Sequence, residues 1–88
     1  MPNAPVWLIL NMLHLIRQRP WSRAEIMETL GVSRATSARL FTCARNWYGV
    51  GIEYDRNTNS YAIDEWGIVD PLGMERWIKK RARKERTK

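Results

Sequence analysis

The side chains with the clearest chemical potential are the arginines that lie among small and polar residues between positions 34 and 45. If this stretch is an α-helix, its residues divide between two sides. One side holds Arg34, Ala35, Ala38, Arg39, Thr42, Arg45 and Asn46, and the other holds Ser37, Leu40, Phe41, Ala44, Trp47 and Tyr48. The first side is predicted to be exposed and basic, and the second to face a core. An arginine presented in this way can donate two hydrogen bonds to a guanine in the major groove of DNA, and small neighbours permit close approach.

Four parts of the chain provide candidate contacts to nucleic acid, and for each of them a merely solvated surface is the alternative. The arginine-bearing helix contributes Arg34, Ala35, Thr36, Ala38, Arg39, Thr42 and Arg45. Ser22 and Arg23 open the preceding helix, where backbone N–H groups and the helix dipole favour a phosphate. Arg56 and Asn57 lie in a predicted turn between two strands. The basic C-terminal segment adds Lys79, Lys80 and Arg81 as non-specific contacts to the phosphate backbone.

The formal net charge of +6 is unevenly distributed along the 88 residues. Residues 17–45 hold six arginines and two glutamates, which gives +4. Residues 46–75 hold one arginine and six acidic residues, which gives −5, and residues 76–88 hold eight basic residues and one glutamate, which gives +7. Two basic zones therefore flank an acidic one, and a polyanion would be held at particular places. Nucleic acid is the leading candidate.

The residue inventory argues against an enzyme. His14 is the only histidine and Cys43 the only cysteine, so no histidine-based catalytic pair, disulfide or cysteine metal site can be assembled. No phosphate-binding loop or carboxylate pair is recognisable. We therefore expect no catalytic activity, no cofactor, no metal and no small-molecule ligand. The unpaired cysteine suits a reducing, cytoplasmic compartment. The apolar stretch Val6–Leu10 follows no basic residue and is interrupted by Asn11, which argues against a signal peptide, and it is far shorter than a membrane span.

The first predicted element is a helix capped by Asn3, with Pro5 in its first turn, that ends near Arg17 before Arg19-Pro20. Its apolar residues recur at helical spacing at Val6, Ile9, Leu10, Leu13 and Ile16. A second apolar side carries Trp7, Leu8, Met12 and Leu15. Because a surface helix needs one apolar side only, this second side is predicted to form a subunit interface.

The next two helices are predicted from their boundaries. Ser22 and Glu25 have the spacing of a capping box, so each side chain can bind a backbone N–H of the other residue. Gly31 supplies the left-handed residue that ends the second helix, and Ser33 caps the third. The apolar positions of the second helix are Ala24, Ile26, Met27 and Leu30.

The remainder is predicted to be a hairpin followed by a fourth helix. Ile52 and Tyr54 share one side of a strand, residues 56–59 form a turn, and Tyr61 and Ile63 share one side of the next strand. Trp66, Ile68 and Val69 then return the chain to the core. Asp70 caps the fourth helix, which begins near Pro71 and carries a buried stripe of Met74, Trp77 and Ile78. The predicted fold is mostly α with a small β-hairpin, as one domain over residues 1–78 and a basic tail over 79–88.

Two segments resemble the DeoR-like winged helix-turn-helix domains found at the N-termini of bacterial regulators, including those with a WYL domain. The first runs from Glu25 to Thr36 and includes the sequence Leu-Gly-Val-Ser-Arg. The second comprises residues 51–56 and 59–63, which resemble the wing of those domains. The resemblance implies a winged helix-turn-helix that binds double-stranded DNA, with the turn near Arg56 reaching the minor groove or a phosphate. Ser37 departs from the family, which usually has a branched apolar residue there.

The function expected from these features is sequence-specific binding of double-stranded DNA by a small transcription regulator of phage or mobile-element type, such as a repressor. A homodimer through helix 1 or helix 4 would read two half-sites. Two alternatives remain open. One is an excisionase-like architectural DNA binder that assembles several adjacent copies. The other is a winged helix that binds and inhibits a host protein through its apolar first helix and acidic hairpin.

Overall fold

Four α-helices and one antiparallel hairpin make up the computed structural model, which describes residues 5–86 and their side chains up to residue 82. In chain order the elements are α1 (Val6–Gln18), α2 (Arg23–Leu30), α3 (Arg34–Asn46), β1 (Gly51–Asp55), β2 (Ser60–Glu65) and α4 (Pro71–Arg86). The expected fold class, mostly α with a small β-hairpin, is confirmed. The basic residues that follow Ile78 continue α4 to Arg86.

Helix α1 is the centre of the core. It begins after Pro5, which holds the N-cap position with an extended backbone, and the expected cap Asn3 lies outside the described residues. Leu8 and Met12 are buried within the same chain. This burial corrects the sequence argument that these two side chains lie beyond a single core and belong to a subunit interface. The reason is that α1 packs against α2, α3, β2 and α4 and therefore buries more than one side.

Helix α4 packs against α1 and also contributes to the core. The buried stripe of α1 consists of Ile9, Met12, Leu13 and Ile16, and Met74 of α4 belongs to the same buried cluster. The grooves beside α4 are lined by residues of α1 and, in one groove, by residues of α2. These are Trp7, Asn11, His14, Arg17 and Gln18 of α1, and Thr29 and Leu30 of α2.

The boundaries of α2 and α3 agree with the sequence. The capping box is formed in both directions between Ser22 and Glu25, and Gly31 ends α2 in the left-handed conformation at φ 68°. Ser33 caps α3 by accepting a hydrogen bond from the backbone N–H of Thr36. The buried residues of α3 are Ser37, Leu40, Phe41, Cys43 and Ala44.

One residue expected on the core side of α3 is instead exposed. Trp47 is 55% exposed, while Tyr48 packs partly against the core. Trp47 is the C-cap of α3 and keeps a helical backbone, since its N–H donates to the carbonyl of Cys43 at 2.9 Å. It lies one residue beyond the end of the helix at Asn46, where the buried stripe stops.

The hairpin is fixed to the helices through a residue that precedes α2. Ile52 pairs with Ile63 and Tyr54 with Tyr61, as the alternation predicted. The backbone N–H of Tyr61 also donates a hydrogen bond to the carbonyl of Trp21 at 2.9 Å, which forms an isolated bridge. The inner side of the hairpin is thereby held against α1 and α3.

The segment between β2 and α4 crosses the loop after α3. Gly67, at φ 59°, packs against the backbone of Tyr48 and Gly49, and the N–H of Ile68 donates to the carbonyl of Tyr48 at 2.9 Å. Ile68 itself is 79% exposed, which corrects the expectation that it returns to the core. The backbone hydrogen bond from Ile68 to Tyr48 joins this segment to the loop after α3, while the side chains of Trp66 and Val69 pack against the core. Asp70 caps α4 by accepting from the N–H of Leu72, as predicted.

Candidate nucleic-acid interface

The outer side of α3 is a continuous exposed surface of small and basic residues. Its exposed members are Arg34, Ala35, Ala38, Arg39, Thr42, Arg45 and Asn46, the set that the helical periodicity predicted. Thr36 belongs to the cap, because its hydroxyl oxygen accepts a hydrogen bond from Ser33 at 3.1 Å. The whole surface therefore lies on a single helix, and the opposite side of that helix is buried.

The arginines of this surface differ in what they contact. Arg45 Nη2 donates a hydrogen bond to the carbonyl of Ile52 at 3.1 Å, and its guanidinium carbon lies 5.6 Å from the centre of the Phe41 ring. Arg45 therefore connects α3 to β1. Arg34 and Arg39 are exposed nearer the N-terminus of α3. In the helix-turn-helix mode of binding, that end of the helix contacts base edges.

Arg23, which the sequence analysis offered as a phosphate contact, makes several contacts within the domain. Its Nη1 donates a hydrogen bond to Ser37 Oγ at 3.2 Å, and its guanidinium carbon lies 4.8 Å from the centre of the Phe41 ring and 6.0 Å from that of Tyr61. The Nε atom is buried and has no hydrogen-bond partner within the described residues. The side chain folds inward because a polar acceptor and two aromatic rings lie beneath the start of α2. Phosphate binding by Arg23 stays a prediction.

The start of α2 is already occupied by a carboxylate. Ser22 Oγ accepts from the N–H of Glu25, and Glu25 Oε1 accepts from the N–H of Ser22 at 2.9 Å. The hydrogen bond from the Ser22 backbone holds the pKa of Glu25 below its ordinary value, aided by Arg19, whose Nη1 lies 3.8 Å from Glu25 Oε1. A negative side chain thus sits where a phosphate was expected beside Ser22, and it is stabilised by the same N–H groups and helix dipole.

The hairpin turn lies next to the start of α3. Asp55 Oδ1 accepts from the N–H of Asn57 at 2.9 Å, which orders the turn and leaves the side chains of Arg56 and Asn57 exposed. Asn59, at φ 51°, lines a groove that Arg34 also lines. The structure therefore brings the predicted turn residues close to the basic end of α3.

The basic residues of α4 are not brought to this surface. Lys79, Lys80 and Arg81 are exposed on α4, and the Arg81 guanidinium lies 5.4 Å from the centre of the Trp77 ring. Lys79 and Arg81 line grooves between α4 and α1, whereas Arg34 lines a groove with Asn59 of the hairpin. The candidate contacts of α4 and of α3 thus line different grooves.

The other ionisable clusters hold the fold together or crowd one side of the hairpin. Glu75 Oε2 lies 2.8 Å from His14 Nδ1 and 3.2 Å from Arg17 Nη1, which joins α4 to α1. A hydrogen bond to Asp64, together with repulsion between the two like charges, raises the pKa of Glu53 above its ordinary value.

Across residues 5–82, no three side chains form a group suited to bind a metal ion. Within the described part of the chain, no helix is both long and apolar enough to cross a membrane.

Sequence reasoning did not anticipate that three large apolar side chains are exposed. Trp47, Ile68 and Leu72 are 55%, 79% and 64% exposed. The backbone N–H of Ile68 donates a hydrogen bond to the carbonyl of Tyr48, the residue after Trp47. The sequence signal was present in Leu72, which lies outside the stripe formed by Met74, Trp77 and Ile78. Trp47 and Ile68 follow the ends of regular elements, where periodicity gives no guidance.

The comparisons with known proteins assign no family to this arrangement. The chain matches no protein-family model, and neither the curated proteins nor the solved structures yield a significant match.

Proposed function

We propose that this chain is a winged helix-turn-helix protein that binds double-stranded DNA through the outer side of α3. The order of elements supports the proposal: a helix, two helices joined by the Gly31 turn, and a hairpin whose turn adjoins α3. The observation that carries it is the exposure of Arg34 and Arg39 on the N-terminal half of a capped helix, among small residues.

The geometry suits recognition of base edges. An α-helix fits the major groove, and its N-terminal residues approach the bases. Ala35 and Ala38 let the helix backbone come close, while Arg34 and Arg39 can each donate two hydrogen bonds to guanine. Because the buried side of α3 and the Ser33 cap fix the helix, these arginines are presented at fixed positions. The hairpin turn with Arg56 adds a contact to the adjacent backbone or minor groove.

Within this proposal, the protein acts as a small transcription regulator rather than as an enzyme. Pairing of two copies would let it read two half-sites, and Val6 and Trp7, which are 54% and 47% exposed at the start of α1, are available for such a contact. An architectural role with several adjacent copies would use the same side of α3. The two roles differ in whether complexes form at one discrete site or as a ladder.

The test is selection of preferred sites from a pool of random duplexes, followed by fluorescence anisotropy on the selected and on scrambled duplexes. Wild-type protein should prefer the selected site, and Arg39→Ala should reduce that preference. Arg76→Ala is the matched control, since Arg76 is an exposed arginine on α4. Failure to enrich any sequence, with no binding near physiological salt, would overturn the proposal.

One observation favours a second function, which is binding of a host protein. Trp47, Ile68 and Leu72 are exposed apolar residues outside the α3 surface, and the exposed acidic residues Glu65 and Asp70 are close to Ile68 and Leu72 in the sequence. Exposed apolar groups rimmed by polar residues are typical of protein interfaces. This function becomes the preferred one if the protein binds no duplex at physiological salt.

A further inference from the structure

We propose that Tyr54 is a positioning residue, whose hydroxyl group holds the hairpin turn beside α3 so that Arg56 contacts DNA at a fixed place. This inference rests on the proposed function of α3 and of the turn. Tyr54 lies in β1, and its hydroxyl group donates a hydrogen bond to Asn59 Oδ1 at 2.5 Å. The bond therefore joins β1 to the last of the turn residues 56–59.

The ring of Tyr54 is anchored to the domain through two further aromatic rings. Its centre lies 5.1 Å from that of Tyr61, the residue with which it pairs across the hairpin. The centre of the Tyr61 ring lies 4.6 Å from that of Phe41, which is buried on α3. Exposure rises along this series from 1% at Phe41 to 47% at Tyr54. The three rings thus connect the buried side of α3 to the exposed Tyr54, and aromatic pairs of this kind are stabilising.

Asn59, the acceptor, lies beside the N-terminal end of α3. It lines one groove together with Arg34, the first residue of α3. Its backbone is left-handed at φ 51°, a conformation that asparagine adopts more readily than most residues do. The hydrogen bond from Tyr54 therefore acts on a turn residue that adjoins the helix proposed to enter the major groove.

The turn lies beyond the paired part of the two strands. Pairing of β1 with β2 ends at Asp55 and Ser60. The bonds from Asn57 to Asp55 and between Thr58 and Ser60 each join groups two positions apart, so they shape the turn locally. Tyr54 instead connects the turn to α3 through the series of rings. An arginine that is already held in place loses less conformational entropy on binding, so its contact contributes more to affinity.

The experiment measures how much Arg56 contributes to affinity with and without this hydroxyl group. In the wild type, Arg56→Ala should weaken binding to the selected site by at least about fivefold in fluorescence anisotropy. In the background of Tyr54→Phe, which keeps the ring, the same change should weaken binding by no more than about twofold. Tyr48→Phe is the matched control, because it removes a hydroxyl group outside the hairpin and should leave the effect of Arg56→Ala intact.

A measurement without DNA separates positioning of the turn from a general loss of structure. Tyr54→Phe should lower the ¹⁵N heteronuclear NOE of Arg56 and Asn57 but not that of residues in β1 and β2, and circular dichroism should be unchanged. In the background of Asn59→Gly, which lacks the acceptor, Tyr54→Phe should cause no further loss of affinity, since the hydroxyl group has no partner to hold.

Each alternative gives a different result. An equal effect of Arg56→Ala in the wild type and in Tyr54→Phe would overturn the inference, and it is the result expected if the Tyr54 hydroxyl group binds DNA directly. An unchanged NOE in Tyr54→Phe, or a further loss of affinity in the Asn59→Gly background, would also overturn it. If wild type binds the selected site but Arg56→Ala has no effect, the inference fails and the proposed function of α3 stands. If wild type binds no duplex, both fail.

Discussion

Arg23 donates a hydrogen bond from Nη1 to Ser37 Oγ at 3.2 Å, which joins the first residue of α2 to the buried side of α3. Ser37 Oγ in turn donates to the carbonyl of Arg34 at 2.7 Å, so its hydroxyl group is satisfied on both sides. The resemblance to DeoR-like domains implies a branched apolar residue at this position. The serine is explained by the half-buried guanidinium above it, which needs an acceptor.

Replacing this acceptor should destabilise the domain even though valine restores the family pattern. Ser37→Val leaves the Arg23 guanidinium half-buried without its oxygen partner, and a lost bond to a charged group costs about 1–3 kcal/mol. Urea titration followed by tryptophan fluorescence measures the free energy of unfolding. An unchanged or raised free energy would show that the hydrogen bond contributes nothing.

The two residues should also be energetically coupled. In the background Arg23→Met, which removes the charge, Ser37→Val should cost at least about 1 kcal/mol less than in the wild type, since no guanidinium is left unpaired. The measurement is a double-mutant cycle from the same urea titrations. The coupling would be contradicted if the free-energy cost of the double variant equalled the sum of the two single-variant costs within about 0.5 kcal/mol.

The hydrogen-bonded carboxyl groups of Glu53 and Asp64 should make stability depend on pH. Because the pKa of Glu53 is raised in the folded state, its contribution is fully present below the unfolded pKa and is lost as pH rises through the folded pKa. Glu53→Gln should therefore raise Tm relative to wild type near neutral pH and have little effect in acid. Thermal melts at several pH values check this, with the exposed Glu28→Gln as the control that should show no such pH-dependent gain.

Two glycines with similar backbone conformations should respond differently to alanine. Gly31 and Gly67 have φ 68° and 59°, but a Cβ at Gly31 would meet no atom within 4 Å, whereas one at Gly67 would overlap the backbone of Tyr48 and Gly49. Gly31→Ala should cost about 1–2 kcal/mol for the left-handed backbone alone. Gly67→Ala should cost at least about 3 kcal/mol, because the loop crossing must open. If the two variants lost the same free energy of unfolding in urea titrations, Gly67 would not be packed closely against Tyr48 and Gly49 in solution.

Two arginines of α3 should have different roles, with Arg39 contributing to DNA affinity and Arg45 to the stability of the fold. Arg39→Ala should change the free energy of unfolding by no more than about 0.5 kcal/mol, but should weaken the selected site by about 1–3 kcal/mol and random DNA little. Arg45→Ala should destabilise the fold by about 1 kcal/mol, since it removes the bond to the Ile52 carbonyl. Anisotropy and urea titration on both variants provide the comparison. Equal weakening of both DNAs by Arg39→Ala would exclude a role in base recognition.

The features predicted best from the sequence are those that depend on neighbouring residues. The Ser22–Glu25 capping box, the left-handed Gly31 and the cap at Ser33 were all confirmed, because each involves groups within a few positions of one another. The exposed side of α3 followed from periodicity for the same reason.

The features that sequence analysis misjudged depend on contacts between distant elements. Leu8 and Met12 were assigned to a subunit interface, but both are buried within the chain. The sequence does not indicate that four other elements pack around α1 and bury more than one of its sides. The hydrogen bond from Arg23 to Ser37 was not foreseen, because the acceptor lies on another helix. A helical wheel treats each helix alone, so it cannot report how many neighbours a helix has.

The bridge between Tyr61 and Trp21 bears on the order in which this chain folds. Strands β1 and β2 can pair within microseconds, because a short turn joins them. The bridge forms only after the chain from residue 21 to residue 61 has closed into a loop around α2 and α3, which is a slower, non-local step. The amide of Tyr61 should therefore exchange its hydrogen with solvent only when the whole domain opens, whereas amides in the turn near Asn57 exchange through local openings.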